Sequence, residues 1–297
     1  MVNYYEDCLE LMITYGEHLP VSINTLYNAL SKHPHITWDI VEMYPDMPWI
    51  YTFLSSNPSV TWEIIEDNPS LPWSFPMVGK NPNITWDIIR QNPDKNWDMN
   101  LISTNPSITW EDVESSKDRN WEYTNLSLNP HITWDIVSEN PDIPWSFYYL
   151  SKHKNITMEN ILDDINSEHS IRRWHYASIL QNPNLTWDWI ERNPEGIMNQ
   201  SWNYTYLSKN SNINWDIVSK NKHLNWSYFL LSSNPSIYWE DIVLNPSYGW
   251  DFYMVSKNEN INWYIVRENK YYLWDINNLL SNKMVYYDPV PELYILK

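Results

Sequence analysis

Twenty tryptophans in a chain of 297 residues fall almost entirely into two columns of a 24-residue repeat, and that register constrains the fold more than any other property of the sequence. The first column runs Trp38, Trp62, Trp86, Trp110, Trp134, Trp187, Trp215, Trp239 and Trp263, with Met158 in its one gap. The second lies 11 residues further on at Trp49, Trp73, Trp97, Trp121, Trp145, Trp226, Trp250 and Trp274, and Trp174 and Trp202 continue it after insertions. Only Trp189 stands outside both columns. A period of this length belongs to stacked repeats, in which each unit buries its apolar face against its neighbours and no single core limits the chain.

The unit Asn129–Lys152 shows the local grammar. Thr133 is placed to cap the first turn of a helix, and Asp135 follows at a position where the helix dipole favours a carboxylate. Ile132 before the cap and Val137 after it have the spacing of a hydrophobic staple, which recurs as Ile36 with Val41, Ile84 with Ile89 and Ile261 with Val266. Asn140-Pro141 should end this helix after about two turns, because the residue before proline is excluded from the α region. The Pro or Asn just before the second tryptophan (Pro48, Pro72, Asn96, Asn120, Pro144) is expected to open a second helix. On it, an aromatic two residues after the tryptophan and an aliphatic five after it, such as Phe147 and Leu150, share a face. Helices this short do not persist alone, so stacking has to supply the core.

These features predict an all-α fold, an α-solenoid or superhelix of about ten 24-residue helix-pair repeats. An N-terminal capping segment is expected over 1–33, the array over 34–282 with insertions near 163–173 and 195–201, and a C-terminal tail over 283–297. Ten units at about 10 Å each would form an elongated rod or arc of roughly 100 Å.

The motif Asn-Pro-x-Ile-Thr-Trp-Asp-Ile-Val, seen at Asn129–Val137, resembles the tryptophan-rich tandem repeats that giant DNA viruses of amoebae encode in many copies, and the resemblance covers roughly residues 30 to 282. In period and Asn-Pro punctuation the unit is also similar to the leucine-rich variant repeat, a superhelix of paired short helices. Tryptophan here replaces the Pro or Val of that repeat, which leaves the second helix open between α and 3₁₀. The resemblance implies a helical scaffold and carries no catalytic motif.

Composition narrows the function. The net charge is -18, from 19 basic and 37 acidic residues, which argues against nucleic acid as a partner because phosphate binding requires a basic face. The single cysteine, Cys8, excludes an internal disulfide framework and points to a reducing compartment. The acidic start and the lack of a long apolar run predict neither a signal peptide nor a membrane span, and the expected location is the host cytoplasm or a virion.

The tryptophan columns invite two readings, a ligand-stacking ladder or an interlocking core, and their recurrence in nearly every unit favours the core. The carboxylates after the first column, such as Asp39, Glu63 and Asp87, lie on helices about 8 to 10 Å apart and cannot share one ion, so no metal or other cofactor is expected. Without a phosphate loop or an activated nucleophile the chain reads as non-enzymatic. The exception to its acidic character is the first insertion, where His169, Arg172, Arg173 and His175 gather. These four are the candidate partner-binding residues, within an epitope expected over 163–175 and 195–201, with the arginines pairing to an acidic protein segment and the histidines adding pH sensitivity. The expected role is a scaffold for protein-protein interaction, the alternative being a structural virion component that self-associates through the array.

Overall fold

The structure, a computed structural model, describes residues 23–33, 36–167 and 173–282; Cys8 lies outside them. It is a helical repeat array of 21 short helices, and among the described residues the one β-type pairing is an isolated bridge between Ile197 and Gln200. Ten helices open on the first tryptophan or its Met158 substitute, from Trp38–Met43 to Trp263–Glu268. Eleven form a second row, from Ile23–Lys32 through one-turn helices such as Tyr51–Leu54 and Phe147–Leu150 to Ile276–Ser281.

The first helix starts and stops by side-chain chemistry. Thr133 accepts from the Ile136 N–H, and Thr61, Thr85 and Thr186 cap their helices in the same way. At the other end the Asn140 amide donates back to the Ile136 carbonyl at 2.9 Å, while the Asn140 carbonyl accepts the Trp145 indole N–H at 3.0 Å. The same pair of bonds recurs at Asn68 with Trp73, Asn92 with Trp97, Asn221 with Trp226, Asn245 with Trp250 and Asn269 with Trp274. The Asn-Pro stop is therefore also the dock that fixes the second tryptophan.

The second helix does not open at the Pro or Asn before that tryptophan. It starts two residues after it, as in Phe147–Leu150 with Ser146 as the extended cap residue. The reason is that Trp145 is fixed by its indole bond and by its N–H to the Ile143 carbonyl, and Ser146 after it is extended. The turn begins where the Ser146 N–H is taken by Ser127 Oγ of the preceding unit at 2.9 Å. Its bonds from Leu150 to Ser146 and from Ser151 to Phe147 span four residues, so the turn is α and not 3₁₀.

Three aliphatic columns make the fully buried core: Ile132, Val137 and Leu150 in one unit, and their equivalents Ile108, Val113 and Leu126 in the preceding one, all at 0–1% exposure. The tryptophans border this core and range from buried to half-buried. From Trp38 to Trp239, each first-column tryptophan ring tilts against the second-column ring of the following unit, as in Trp86 with Trp121 at 5.1 Å and Trp110 with Trp145 at 5.6 Å between centroids. Where Met158 interrupts the series, Trp202 is met edge-on by Trp189 at 5.8 Å, so the tryptophan outside both columns supplies the missing ring. Met158 itself is 1% exposed and part of the buried core.

Polar groups buried between units form a ladder. Asn105 sends its amide to the carbonyls of Gly79, Asn81 and Ile84 of the preceding unit at 2.8–2.9 Å and accepts the Ser107 N–H. Asn81, Asn129, Asn234 and Asn258 repeat this arrangement onto Asn57, Asn105, Asn210 and Asn234 respectively. At the last rung Asn282 donates to Asn258, and the Asn282 carbonyl lies 3.0 Å from His33 Nε2, 249 residues away along the chain. Helix Ile23–Lys32 packs on Tyr51–Leu54 on one side and on Ile276–Ser281 on the other.

The array is therefore a closed ring of eleven ladder positions and not an elongated rod or arc. The sequence-based estimate failed because it treated the stack as straight. On the second-helix side units are joined by small side chains: Ser55, Ser127 and Ser232 each accept the cap N–H of the next second helix, at 2.9–3.0 Å. On the first-helix side a pair of tryptophan rings separates neighbours. Each unit is a wedge, and roughly 33° per step closes eleven of them.

The insertions are taken up in different ways. The first lengthens its helix to nine residues, Met158–Asn166, and the Asp164 carboxylate replaces the usual backbone carbonyl as acceptor of the Trp174 indole at 2.8 Å. The second turns at Met198 and Asn199, both with positive φ, between reciprocal bonds of Ile197 and Gln200. Gly196 has φ 87°, and a Cβ there would sit 1.9 Å from the Gln200 carbonyl oxygen, so only glycine fits. This turn sends Ile197 into the core at 3% exposure, so the stacked core takes up one inserted residue.

His153 makes one rung titratable. Its Nε2–H donates to the Asn129 carbonyl at 3.1 Å and its Nδ1 accepts the Asn155 N–H at 3.2 Å, so the rung requires the neutral ring. Burial pushes its pKa below the ordinary histidine value, with the Asn129 carbonyl opposing the shift and Lys154 adding to it. A lowered folded-state pKa means the unfolded chain takes up the proton first. The contribution is complete above the unfolded histidine value of about 6.5 and is lost as pH falls toward the folded value. His153→Asn should flatten the dependence of melting temperature on pH between about 5 and 7, whereas an unchanged slope would place the proton uptake elsewhere.

Candidate functional site

With the core closed and the ladder satisfied, the informative surface is what remains exposed without a packing reason. Tyr148, Phe229 and Tyr253 occupy the same position of three second helices and are 48%, 49% and 50% exposed. The geometry of the turn explains them: the first and last of its four residues face the core, as Phe147 and Leu150 do, and the residue after the first faces outward. Serine or threonine would satisfy that position, as Thr52 and Thr205 do elsewhere in the array.

Lysine accompanies two of these rings. Lys152 Nζ lies 4.7 Å above the Tyr148 ring and 5.6 Å from that of Tyr149, and Lys257 lies 4.3 Å above Tyr253. The halves of the units that carry the second helices balance their charge: over residues 50–282 they hold Asp98, Glu122, Asp251, Glu259 and Asp275 against Lys80, Lys152, Lys154, Lys209 and Lys257. The acidic excess resides in the first-helix halves and the N-terminal segment. The chain thus has an acidic side and a neutral, aromatic and lysine-bearing side. Ion pairs on the acidic side, such as Lys220 with Asp216 at 2.7 Å, are exposed and contribute little.

Two of the four candidate partner-binding residues, Arg173 and His175, are described, and both are exposed. His169 and Arg172 lie outside the described residues, as does the rest of segment 168–172. His175 caps the helix Tyr176–Ile179: its Nδ1 accepts the Ser178 N–H at 3.2 Å, and its own N–H is held by Ser151 Oγ at 2.9 Å. Its ring lies 5.0 Å from that of Tyr148. Tyr148, Lys152 and His175 therefore form one patch, and exposed Arg173, two residues before His175 in the chain, leads from it to the first insertion. Sequence reading missed Tyr148 because it registered the aromatic content of the second helix as core; the adjacent aromatic pair Tyr148-Tyr149, only one of which can face inward with Phe147, was the available signal.

Among the described residues no group of three or more His, Cys, Asp or Glu is placed to hold a metal ion, and no helix is long and apolar enough to cross a membrane. Comparison with protein-family models, with curated proteins and with solved structures returns no match to this chain.

Proposed function

We propose that the chain is a non-enzymatic ring scaffold that holds another protein on the narrow, second-helix side of its wedges. The observation that carries this reading is the patch of Tyr148, Lys152 and His175, with exposed Arg173 two residues away in the chain, where half-exposed aromatic area and cationic groups meet on a chain of net charge -18. Large exposed apolar area rimmed by polar groups is characteristic of protein contact surfaces, and tyrosine and arginine are the residue types that dominate their energetics. The complementary surface is an acidic segment, its carboxylates facing Arg173 and Lys152 and its apolar side chains on Tyr148.

The alternative reading, a virion component that self-associates through the array, loses its simplest geometry when the ring closes, because no solenoid end is left free for end-to-end growth. The resemblance to giant-virus repeat proteins supports an infected cell or its particles as the setting. Affinity capture from such cells should recover a protein whose yield falls at least about tenfold with Tyr148→Ala combined with Arg173→Glu, at unchanged melting temperature. Equal recovery with that double variant would refute the assignment of this patch.

A further inference from the structure

We infer that the groove between Trp62 and Phe75 is a receptor for an aromatic side chain carried by a basic protein segment, a second contact that rests on the reading of the chain as a protein scaffold. The inference comes from what the ring does to itself at equivalent places. Two residues before the second tryptophan, a side chain crosses from one unit onto the preceding one. Where that residue is Tyr248, it stacks on Tyr228 at 4.9 Å and meets Trp215 edge-on at 5.3 Å. Where it is Tyr272, it stacks on Phe252 at 4.5 Å and meets Trp239 edge-on at 5.4 Å. At the junction of Trp62 and Phe75 the same position is Lys95.

A lysine stem is too thin to replace a ring. Lys95 Nζ lies 5.3 Å from the Phe75 centroid, and a cavity of about 460 Å³ opens between Trp62, Trp73, Phe75 and Lys95. The cross-unit pair Trp62–Trp97 stands 6.3 Å apart, more than the 5.1–6.0 Å of the other described tryptophan pairs of this kind. The walls are thus those that hold Tyr248 and Tyr272, with the ring absent, and the shape and π-faces specify an aromatic group.

Charge selects what carries that group. Glu63, Glu66 and Asp67 are exposed on the helix that begins with Trp62, and Glu66 lines the groove. An aromatic residue flanked by lysine or arginine places its cations among these carboxylates, whereas an acidic flank meets like charge.

The test uses the full chain and the peptide acetyl-Lys-Tyr-Lys-amide, titrated by calorimetry and by line broadening of the peptide tyrosine resonances. Saturable binding at one site per chain is expected, weakened at least about tenfold when tyrosine is replaced by alanine in the peptide. Lys95→Tyr should fill the groove as Tyr248 fills its own, raising the melting temperature and abolishing binding. Tyr248→Lys should empty a second groove and raise the stoichiometry to two. Equal binding of the alanine peptide would show charge attraction alone, and retention of binding by Lys95→Tyr would place the site elsewhere; either result overturns the proposal. Neither bears on capture through the Tyr148 patch, so the scaffold reading stands or falls separately.

Discussion

Asn105→Leu is expected to destabilise the ring by about 3–5 kcal/mol, more than any surface ion pair contributes. The side chain is 0% exposed, and its amide satisfies the carbonyls of Gly79, Asn81 and Ile84 while its oxygen accepts the Ser107 N–H. Leucine keeps the branching and heavy-atom count but leaves the Gly79 and Ile84 carbonyls and the Ser107 N–H without this partner, each at a cost of about 1–3 kcal/mol before relaxation, while the Asn81 carbonyl keeps the Ile84 N–H. Asn105→Asp preserves the acceptor and turns a carboxylate toward three carbonyls, and it should be at least as damaging. Removing the exposed pair of Lys220 and Asp216 should cost less than about 1 kcal/mol. Urea midpoints of the three variants, with unchanged m-values, would check the order. If Asn105→Leu melted with the parent, the ladder would be incidental to the stacking.

Closure is the source of the second large effect. Leu30 is 1% exposed on the helix that packs between Tyr51–Leu54 and Ile276–Ser281, and it occupies the column of Leu54 and Leu126. A carboxylate at that position removes apolar burial at the seam and places an unpaired charge there. The interior units keep both neighbours, so Leu30→Asp should open the ring while most of the array stays folded, with an increase in radius of gyration and near-constant helical dichroism. In an open array the terminal units have one neighbour each and fray first, whereas in a ring every unit has two.

The helical class, the 24-residue unit and the three aliphatic columns are legible in the sequence because each rests on local grammar: a Thr cap, a hydrophobic staple, a proline stop. What escaped it depends on relations between units. Asn129 and Asn140 both precede proline and look alike in the sequence, yet one crosslinks to Asn105 and Ile108 while the other docks Trp145. The start of the second helix escaped because it is set by Ser127 of the previous unit and not by Pro144. Curvature escaped because it comes from the difference in size between serine on one side and paired tryptophans on the other, and no single unit contains that comparison. Of the candidate partner-binding residues, the basic cluster could be read from charge, but its connection from His175 to Tyr148 crosses between units and appears only in the fold.

The closed ring is tested most directly by a distance across its seam. Lys32 and Ser281 are both exposed and adjoin the hydrogen-bonded pair His33 and Asn282. With Cys8 replaced by serine, spin labels at Lys32→Cys and Ser281→Cys should give a narrow distribution below about 25 Å by double electron-electron resonance, since each label lies one residue, about 3.8 Å along the chain, from the bonded pair. Leu30→Asp in the same background should broaden and lengthen it. An open array of ten units at about 8–10 Å would separate the labels by roughly 80–100 Å, and a distribution centred beyond about 60 Å in the parent would contradict closure.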